Sequence, residues 1–545
     1  MNSLTEQLLE ALAEDDPLNP FIDGAVPALD GRLHDIGEPA ERDRRDTALA
    51  IAEAARTTRD VDQVTRAVVA QQADAIAVRL DARLVEHTVL DYNVAPLATV
   101  LNRLPRQRPE DEAGERHFLE RLAAVPRFLS AAADRHRMGL ATGRTPVAHR
   151  VHAAVARVDA QLAQDPANDP LRRPPLTGPR AAERERLLTG AVREALATYR
   201  DVLAAELAPS GRSPEQAGLC WLPDGEATYA ALVGTHTTTD LSPEQIHRIG
   251  LEQVERVGED YVALGSALFG ARTVPDVRRR VTEDATLRWE SPEQLLAVAR
   301  DAIERADRAA PDWFGRLPSR RCLVAEVPAT EAPHASAASY NPGSFDGSRP
   351  GTYYANTYGI AERDRSVAEA AAFHEVAGHH FQITLAQELP DLPLIRRSAW
   401  INAYLEGWAL YSEHLADEAG LYSDDFYRLG MYAHDLTRAT RLVVDTGLHA
   451  LGWDRERAVE YLRRYSAMSE LELQHETDRY IEMPGQALSY LIGRIEFDRL
   501  RERAMDQLGD DFDIRSFHDA MLGSGPLPLT VLDDVLARWA ADAAG

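Results

Sequence analysis

The sequence predicts a mostly α-helical protein with a small β-sheet in its second half. Apolar residues recur every three or four positions through most of residues 1–205 and again from residue 366 nearly to the end, which is the period of amphipathic helices. Between these regions, RRCLVAEVPA and SRPGTYYANTYG are short and rich in β-branched or aromatic residues, as strands are. A strand-then-helix order therefore precedes the second helical region.

The helical regions have recognisable ends. The proline-rich run DPANDPLRRPPLTGP, residues 165–179, separates helices in the first region, and PSGRSPEQAG marks a change of character near residue 210. Beyond it, Ser242 is expected to cap a helix whose first position is Pro243. We therefore divide the chain into a helical amino-terminal region, residues 1–210, and a second region, residues 211–545, which together form either two lobes or one continuous structural unit.

Composition excludes several classes of protein. The formal net charge is −27, which is unfavourable for binding nucleic acid phosphates. The sequence contains no lysine, so Schiff-base and P-loop lysine chemistry is absent. Cys220 and Cys322 stand alone, without a disulfide or thiolate-zinc pattern. With an acidic first segment, MNSLTEQLLEALAEDD, and no long apolar run, we expect a cytoplasmic protein without membrane contact.

Residues 374–380 read HEVAGHH, which resembles a zinc-binding helix with one residue too many between its histidines. On a regular α-helix, positions five apart differ by roughly 140°, so His374 and His379 would not share a metal. A π-type turn that includes Gly378 would return His379 to the face of His374, and such turns are frequent at functional sites. We expect His374 and His379 to be the ligands, with His380 as the rival of His379.

Three glutamates complete the predicted zinc site. A catalytic zinc ion takes three protein ligands, and a nearby carboxylate accepts the proton of the attacking water. Glu375 is positioned for that second role. Glu406, in the apolar segment AYLEGWALYSE, is the expected third ligand. Glu413 lies seven residues further on the same helix face and is expected to support a ligating histidine or to contact substrate.

Several motifs occur in an order that resembles a known bacterial family. They are YANTYG, FHEVAGHHFQ, AYLEGWALYSE, RLVVDTGLH, ETDRYIEMPGQALSYLIG and FHDAMLGSGPLPL. The family is the one called domain of unknown function 885, regarded as zinc-metallopeptidase-like, and the resemblance covers roughly residues 215–540. It implies a two-lobed, mostly helical fold, similar to thimet oligopeptidase and other gluzincins, with a small sheet beside the active-site helix.

This chain departs from the family at the metal helix. The family usually spells this segment HExxPGHH, whereas HEVAGHH is one residue shorter and lacks the proline. The shorter HExxGH spelling is similar to dipeptidyl peptidase III, in which the first histidine and the one after glycine bind zinc. That resemblance implies His374, His379 and Glu406 as ligands of one Zn²⁺ ion, with Glu375 as the general base.

The resemblance also suggests residues that would contact the substrate. By position in the motifs, the candidates for stabilising an oxyanion are Tyr490, His449, and the adjacent pair Arg479 and Tyr480. The segment PGTYYANTYG could also present a strand edge to an extended peptide, with Tyr354 and Asn356 flanking it; the alternative is an ordinary packed hairpin.

The function we expect is zinc-dependent hydrolysis of an amide bond in a small peptide or peptide-like metabolite. The alternatives are a biosynthetic amidase that acts on a modified amino acid or carrier-bound intermediate, and a non-catalytic helical binding protein that kept the fold. The intact Glu375 favours catalysis, because a binding protein needs no general base beside a metal. The oligomeric state stays open.

Overall fold

The computed structural model of the protein describes residues 3–19, 22, 26, 29–91, 94–328, 332, 335–345 and 347–543. In its first half, helices α1 to α9 are Leu4–Asp15, Glu38–Thr57, Gln63–Asp81, Pro96–Ala98, Glu112–Ala141, Ala148–Ala163, Gly178–Leu187, Arg193–Val202 and Gly225–Thr237. Helices α10 to α12 are Pro243–Phe269, Val274–Glu283 and Pro292–Trp313. The predicted mostly helical fold is confirmed.

The second half has three short strands and the remaining helices. Strands β1, β2 and β3 are Leu323–Glu326, Ala338–Asn341 and Thr352–Ala355. Helices α13 to α17 are Ala368–Phe373, Phe381–Gln387, Leu394–Ser398, Asn402–Glu418 and Asp425–His449. Helices α18 to α22 are Arg455–Tyr465, Glu470–Glu482, Ser489–Leu508, Ile514–Leu522 and Leu529–Ala543. Within the described ranges, none of these helices is both long and apolar enough to cross a lipid bilayer.

The chain divides into two compact units that are interleaved in sequence. Unit 1 contains residues 1–235 together with two later segments, 447–458 and 475–484. Unit 2 contains residues 236–446, 459–474 and 485–545. The chain therefore leaves and re-enters unit 1 twice after residue 235.

Unit 1 is built around amphipathic helices. Helices α5, α6 and α8 contribute to an apolar cluster in this unit, in which they bury residues such as Phe128, Val151 and Tyr199. The returning segments add polar contacts: Arg150 binds Asp478 at 3.0 Å and Glu482 at 2.7 Å, while Glu482 also accepts the Val89 amide at 3.0 Å. These segments complete the unit because they neutralise a largely buried guanidinium group.

Local sequence signals explain how several unit 2 helices begin. Ser242 accepts the Gln245 amide and Gln245 accepts the Ser242 amide, so the predicted N-cap at Ser242 is confirmed as a full capping box with Pro243 in the first turn. Thr273 and Ser291 cap α11 and α12 in a similar way, each followed by proline within the first two positions. Such a cap contributes about 1 kcal/mol to the stability of its helix.

The three strands form one sheet in the described part of unit 2, in the order β1, β3, β2. β3 is parallel to β1 and antiparallel to β2. The hypothesis that the segment containing Tyr354 offers an open edge to a peptide is wrong, because β3 is the central strand and both its edges are hydrogen-bonded to neighbours. The segment between the two predicted strands contains a third strand, β2, which the sequence did not predict.

Unit 2 has an aromatic core around α16. Trp408 is fully buried and its ring contacts those of Phe314, Tyr411, Phe497 and His518 at centroid distances of 5.4–6.0 Å. Fully burying a large apolar side chain contributes about 1.5–3 kcal/mol. This core fixes one side of α16, the helix that carries Glu406 and Glu413.

His518 gives this core a dependence on pH. Its Nδ1–H donates to the Trp313 carbonyl at 2.9 Å, and its Nε2 accepts from the Tyr411 hydroxyl at 2.9 Å. Burial lowers the pKa of His518 to about 3, far below the value of about 6.5 in an unfolded chain. Below pH 6.5 the unfolded chain therefore binds a proton that the folded protein does not.

We predict that this histidine makes the protein less stable in mild acid. The free energy of unfolding should fall by about 1.4 kcal/mol per pH unit from His518 alone between about pH 6.5 and 3, and the loss should level off below pH 3. Urea unfolding at pH 7.5 and pH 5 would measure it in wild type and in His518→Asn, which keeps a donor for the Trp313 carbonyl. An equal loss of stability in both proteins would contradict the assignment.

Candidate metal centre

The segment HEVAGHH forms a π-helical turn. It spans His374–His380 and continues α13 into α14 without a break. The wider turn brings His374 and His379 together, with ring centroids 5.0 Å apart and ring planes at 85°. The expectation that a widened turn places the late histidine on the face of the first is confirmed by this geometry.

Helix α16 holds the π turn in place from one side. The indole nitrogen of Trp408 donates to the Ala377 carbonyl at 3.2 Å, and so satisfies a backbone group within the widened turn. A Cβ on Gly378 would lie 2.7 Å from the Cα of Ala409, so no side chain fits between the two helices. Gly378 has no positive φ, and the close approach of Ala409 is what requires a glycine at this position.

Glu406 faces the two histidines. Its Oε2 is 3.6 Å from His374 Nε2 and 3.4 Å from His379 Nε2. One ligand atom from each of these three buried residues lies within 4.8 Å of the others. Burial raises the pKa of Glu406, but hydrogen bonds from both histidines outweigh it and hold that pKa well below its usual range. Glu406 is therefore an ionised carboxylate buried against two imidazole nitrogens, and a cation shared by the three side chains would balance its charge.

Glu413 contacts the ring nitrogen of His374 that does not face Glu406, and it also contacts His434. Glu413 Oε1 is 2.8 Å from His374 Nδ1, and its Oε2 is 3.1 Å from Nδ1 of His434, on α17. Burial lowers the pKa of His374, but the glutamates outweigh it and raise that pKa to about 9. Because Nδ1–H of His374 is directed to a fully buried carboxylate, its Nε2 is directed to Glu406.

The second histidine has an amide partner. Gln382 Nε2 lies 3.2 Å from His379 Nδ1 and donates to the Leu405 carbonyl at 2.8 Å, while its Oε1 has no hydrogen-bond partner among the described residues. An imidazole that binds a metal through Nε2 carries its proton on Nδ1. Metal binding would therefore require the side-chain amide of Gln382 to rotate by about 180°. The rotation places the Gln382 oxygen next to His379 Nδ1, and the Leu405 carbonyl then loses its hydrogen bond from Gln382 Nε2.

Glu375 lies beside this cluster and is half-buried. Its negative charge is one of the influences that raise the pKa of His374. No hydrogen bond or ion pair joins its carboxylate to another residue in the described ranges. It is therefore available to exchange a proton with a bound molecule.

His380, the rival ligand, is directed away from the cluster. Its Nε2 donates to the Arg320 carbonyl at 2.9 Å, and its Nδ1 accepts from the Tyr340 hydroxyl at 3.0 Å. Burial lowers the pKa of His380 to about 4, so the ring is neutral. His380 therefore anchors the π turn to β2 and the segment before β1, which also places the small sheet next to this helix, as predicted.

Comparison with known proteins identifies the family. Residues 22–536 match a family described as a bacterial protein of unknown function, DUF885. The chain belongs to the DUF885 family. No curated protein matches it significantly.

Solved structures with the same fold are known. A candidate lipoprotein from Colwellia psychrerythraea is 25% identical, with a TM-score of 0.91, and the match covers 99% of this chain and 98% of that one. A candidate lipoprotein of unknown function from Shewanella oneidensis is 16% identical, with a TM-score of 0.74 over 98% of this chain and 99% of that one. The second likeness shows the fold alone.

Three of the predicted substrate contacts in this DUF885 protein belong to unit 1 and have other partners there. His449 is fully buried; its Nδ1 accepts the Leu219 amide at 3.0 Å and its Nε2 donates to the Tyr480 carbonyl at 2.9 Å. Arg479 and the hydroxyl of Tyr480 both bind Glu476. The structure therefore does not support a catalytic role for His449, since backbone groups occupy both ring nitrogens.

The remaining predicted contacts lie in unit 2. Asn356 is fully buried and its amide binds the Ala332 and Ala335 carbonyls and the Tyr358 amide, so it shapes a loop and does not face a substrate. Tyr354 is half-buried on β3. Tyr490 is half-buried at the start of α20, with its ring beneath the guanidinium groups of Arg438 and Arg441.

Sequence reasoning missed several residues of this DUF885 site. His434, Gln382 and Trp408 each bind a member of the cluster or its backbone. Gln382 and Trp408 lie within the motifs FHEVAGHHFQ and AYLEGWALYSE, but the sequence assigned them no role, and His434 lies outside the quoted motifs. Gln382, which follows His379 by three residues on the continuing helix, was the one that helix geometry could have indicated.

We predict that Gly378→Ala destabilises the protein because the added methyl group would displace α16. Overpacking of this kind costs about 1–3 kcal/mol, to be measured by urea unfolding. The matched control is Gly258→Ala on α10, where a Cβ would meet nothing within 4 Å. That change should stabilise by about 0.5–1 kcal/mol, as alanine does in an open helix. Equal effects of the two substitutions would contradict the packing argument.

Proposed function

We propose that this DUF885 protein is a zinc-dependent hydrolase that cleaves an amide bond in a small peptide or peptide-like metabolite. The observation that carries the proposal is the buried cluster of His374, His379 and Glu406. Glu375 lies beside this cluster, and no described residue forms a hydrogen bond or ion pair with its carboxylate. Two imidazoles and one carboxylate are a ligand set typical of catalytic zinc.

Two of the three spacings in the cluster agree with a tetrahedral zinc ion. Two ligand atoms on one tetrahedral zinc ion, each at about 2.0–2.2 Å, are about 3.3–3.6 Å apart. The distances from Glu406 Oε2 to the two Nε2 atoms, 3.4 and 3.6 Å, agree with that range. The Glu413 carboxylate behind His374 is the kind of partner that orients a ligating imidazole and increases its basicity.

Different residues around the cluster would have different roles in amide hydrolysis. Zinc, when bound, supplies a Lewis acid that polarises the carbonyl and makes water more acidic. Glu375 receives the proton that the attacking water loses and then donates it to the leaving amine. Glu413 keeps His374 in the required tautomer, and Tyr490, in the same unit, is the proposed donor to the developing oxyanion.

A cytoplasmic location and a small soluble substrate complete the proposal. The negative net charge, −27, supports a partner other than nucleic acid. The two similar proteins from Colwellia and Shewanella are named as candidate lipoproteins. The location of a lipoprotein is therefore the competing assignment for this chain.

We predict that the purified protein contains about one zinc ion per chain, measured by elemental mass spectrometry. His374→Ala, His379→Ala and Glu406→Ala should lose it, and Glu413→Gln should weaken zinc affinity about 10- to 100-fold. His380→Gln is the control and should keep its zinc, because His380 binds Arg320 and Tyr340 instead. Wild-type protein that takes up no zinc when it is offered would overturn the hydrolase proposal in favour of a non-catalytic binding protein.

We predict that Glu375→Gln separates catalysis from metal binding. The variant should retain zinc and the wild-type stability but lose about 10²- to 10⁴-fold in hydrolysis, because only proton transfer is removed. Mass spectrometry of a mixture of dipeptides and tripeptides incubated with each protein would measure cleavage. Glu418→Gln is the control, since that residue pairs with Arg501 at the far end of α16. Full activity in Glu375→Gln would exclude it as the base.

A further inference from the structure

Arg438, on α17, is a partly buried arginine without a carboxylate partner in the described part of the chain. Its Nη1 reaches only the His434 carbonyl, at 3.5 Å, and its buried Nε has no hydrogen-bond partner among the described residues. Two other arginines of unit 2 are paired with carboxylates: Arg494 binds Asp435 at 2.9 Å and Arg428 binds Asp417 at 2.7 Å. A guanidinium group without such a partner keeps a positive charge with which a bound carboxylate can pair.

An aromatic ring and a second guanidinium group accompany Arg438. The Cζ atoms of Arg438 and Arg441 lie 5.8 Å and 4.9 Å from the centre of the Tyr490 ring. Contacts of this kind hold a guanidinium plane in place while leaving its N–H groups at the edge able to bind an anion. Two positive charges thus converge on one side chain at the start of α20.

Helices α17 and α20, which carry the two arginines and Tyr490, also contact the residues of the metal cluster or their neighbours. His434, Arg438 and Arg441 occupy one face of α17, and Arg438 follows His434 by one turn, about 6 Å along the axis. His434 contacts Glu413, which contacts His374. On α20, Tyr490 is one turn before Gly493, where a Cβ would lie 2.7 Å from the Cα of Gly407, the neighbour of Glu406.

We propose that Arg438 binds a carboxylate group of the substrate beside the Tyr490 ring, and that the neighbouring charge of Arg441 adds to the attraction. Guanidinium groups bind carboxylates through paired, charge-assisted hydrogen bonds, and a half-buried position strengthens them. One residue of extended peptide spans about 3.3–3.6 Å, so the separation of Arg438 from the metal cluster sets how many residues lie between this carboxylate and the cleaved amide. The substrate class that we infer is a peptide or acylated amino acid with a free carboxyl terminus.

This inference deepens the proposed function, but it can be tested without catalysis. The probes are N-acetyl-Ala-Ala, which has a terminal carboxylate, and N-acetyl-Ala-Ala-amide, which is neutral at the same end. Isothermal titration calorimetry would measure the binding of each to metal-free and to zinc-treated protein. We expect the acid to bind roughly tenfold more tightly than the amide, because one charge-assisted contact supplies about that factor.

Variants assign the preference to Arg438. Arg438→Gln should abolish the preference for the acid, and Arg438→Lys, which keeps the charge, should retain part of it. Arg428→Gln is the matched control on the same helix and should bind both probes as wild type does, because Arg428 is engaged by Asp417. Circular dichroism would show that each variant is folded.

The outcomes separate this inference from the hydrolase proposal. Selective binding of the acid by metal-free protein that takes up no zinc would support the carboxylate site and contradict the hydrolase. Equal binding of acid and amide by wild type, no binding of the acid at millimolar concentration, or an unchanged preference in Arg438→Gln would overturn the carboxylate site. A third probe, N-acetyl-Asp-amide, carries its carboxylate on the side chain; binding of this probe in preference to N-acetyl-Ala-Ala would overturn the assignment to a carboxyl terminus.

Discussion

The packing of the π turn His374–His380 against α16 is the constraint on which the site depends. The widened turn is what allows histidines five residues apart to share one face, and it is stable because α16 lies close enough for Trp408 to bind the Ala377 carbonyl. That closeness requires a glycine at position 378. The same helix carries Glu406 and Glu413, so one interface sets both the spacing of the histidines and the position of their carboxylate partners.

Buried charge links this interface to the rest of unit 2. Glu406, His374, Glu413 and His434 form a continuous chain of alternating acids and imidazoles. On the neighbouring faces of α16, α17 and α20, His414 and Arg494 both contact Asp435. Since an unpaired buried charge costs several kcal/mol, each member keeps its neighbours in place. Burial and the positive charge of Arg438 both lower the pKa of His434, so Arg438 affects this chain electrostatically as well as through its contact with the His434 carbonyl.

Much of this arrangement follows from local sequence, and the rest depends on contacts between distant segments. Periodicity predicts the helices, the position of Ser242 predicts a cap, and the spacing of His374 and His379 predicts the π turn. Other π turns contain no histidine, so no histidine spacing in the sequence predicts them; they are Thr99–Arg103, Leu188–Val192 and Leu203–Leu207. The partnership of Glu413 with His434 and the central place of β3 depend on how separate elements pack, which no local pattern encodes.

The interleaving of the two units has a consequence for synthesis on the ribosome. Residues 1–235 emerge first, but Arg150 meets Asp478 and Glu482, and the Leu219 amide meets His449, only after the chain has been extended by more than two hundred residues. At typical bacterial elongation rates this interval lasts roughly 10–50 s. The nascent amino-terminal segment must wait that long with a guanidinium group still unneutralised. The unit that begins folding first is thus completed late, when most of unit 2 has already left the ribosome.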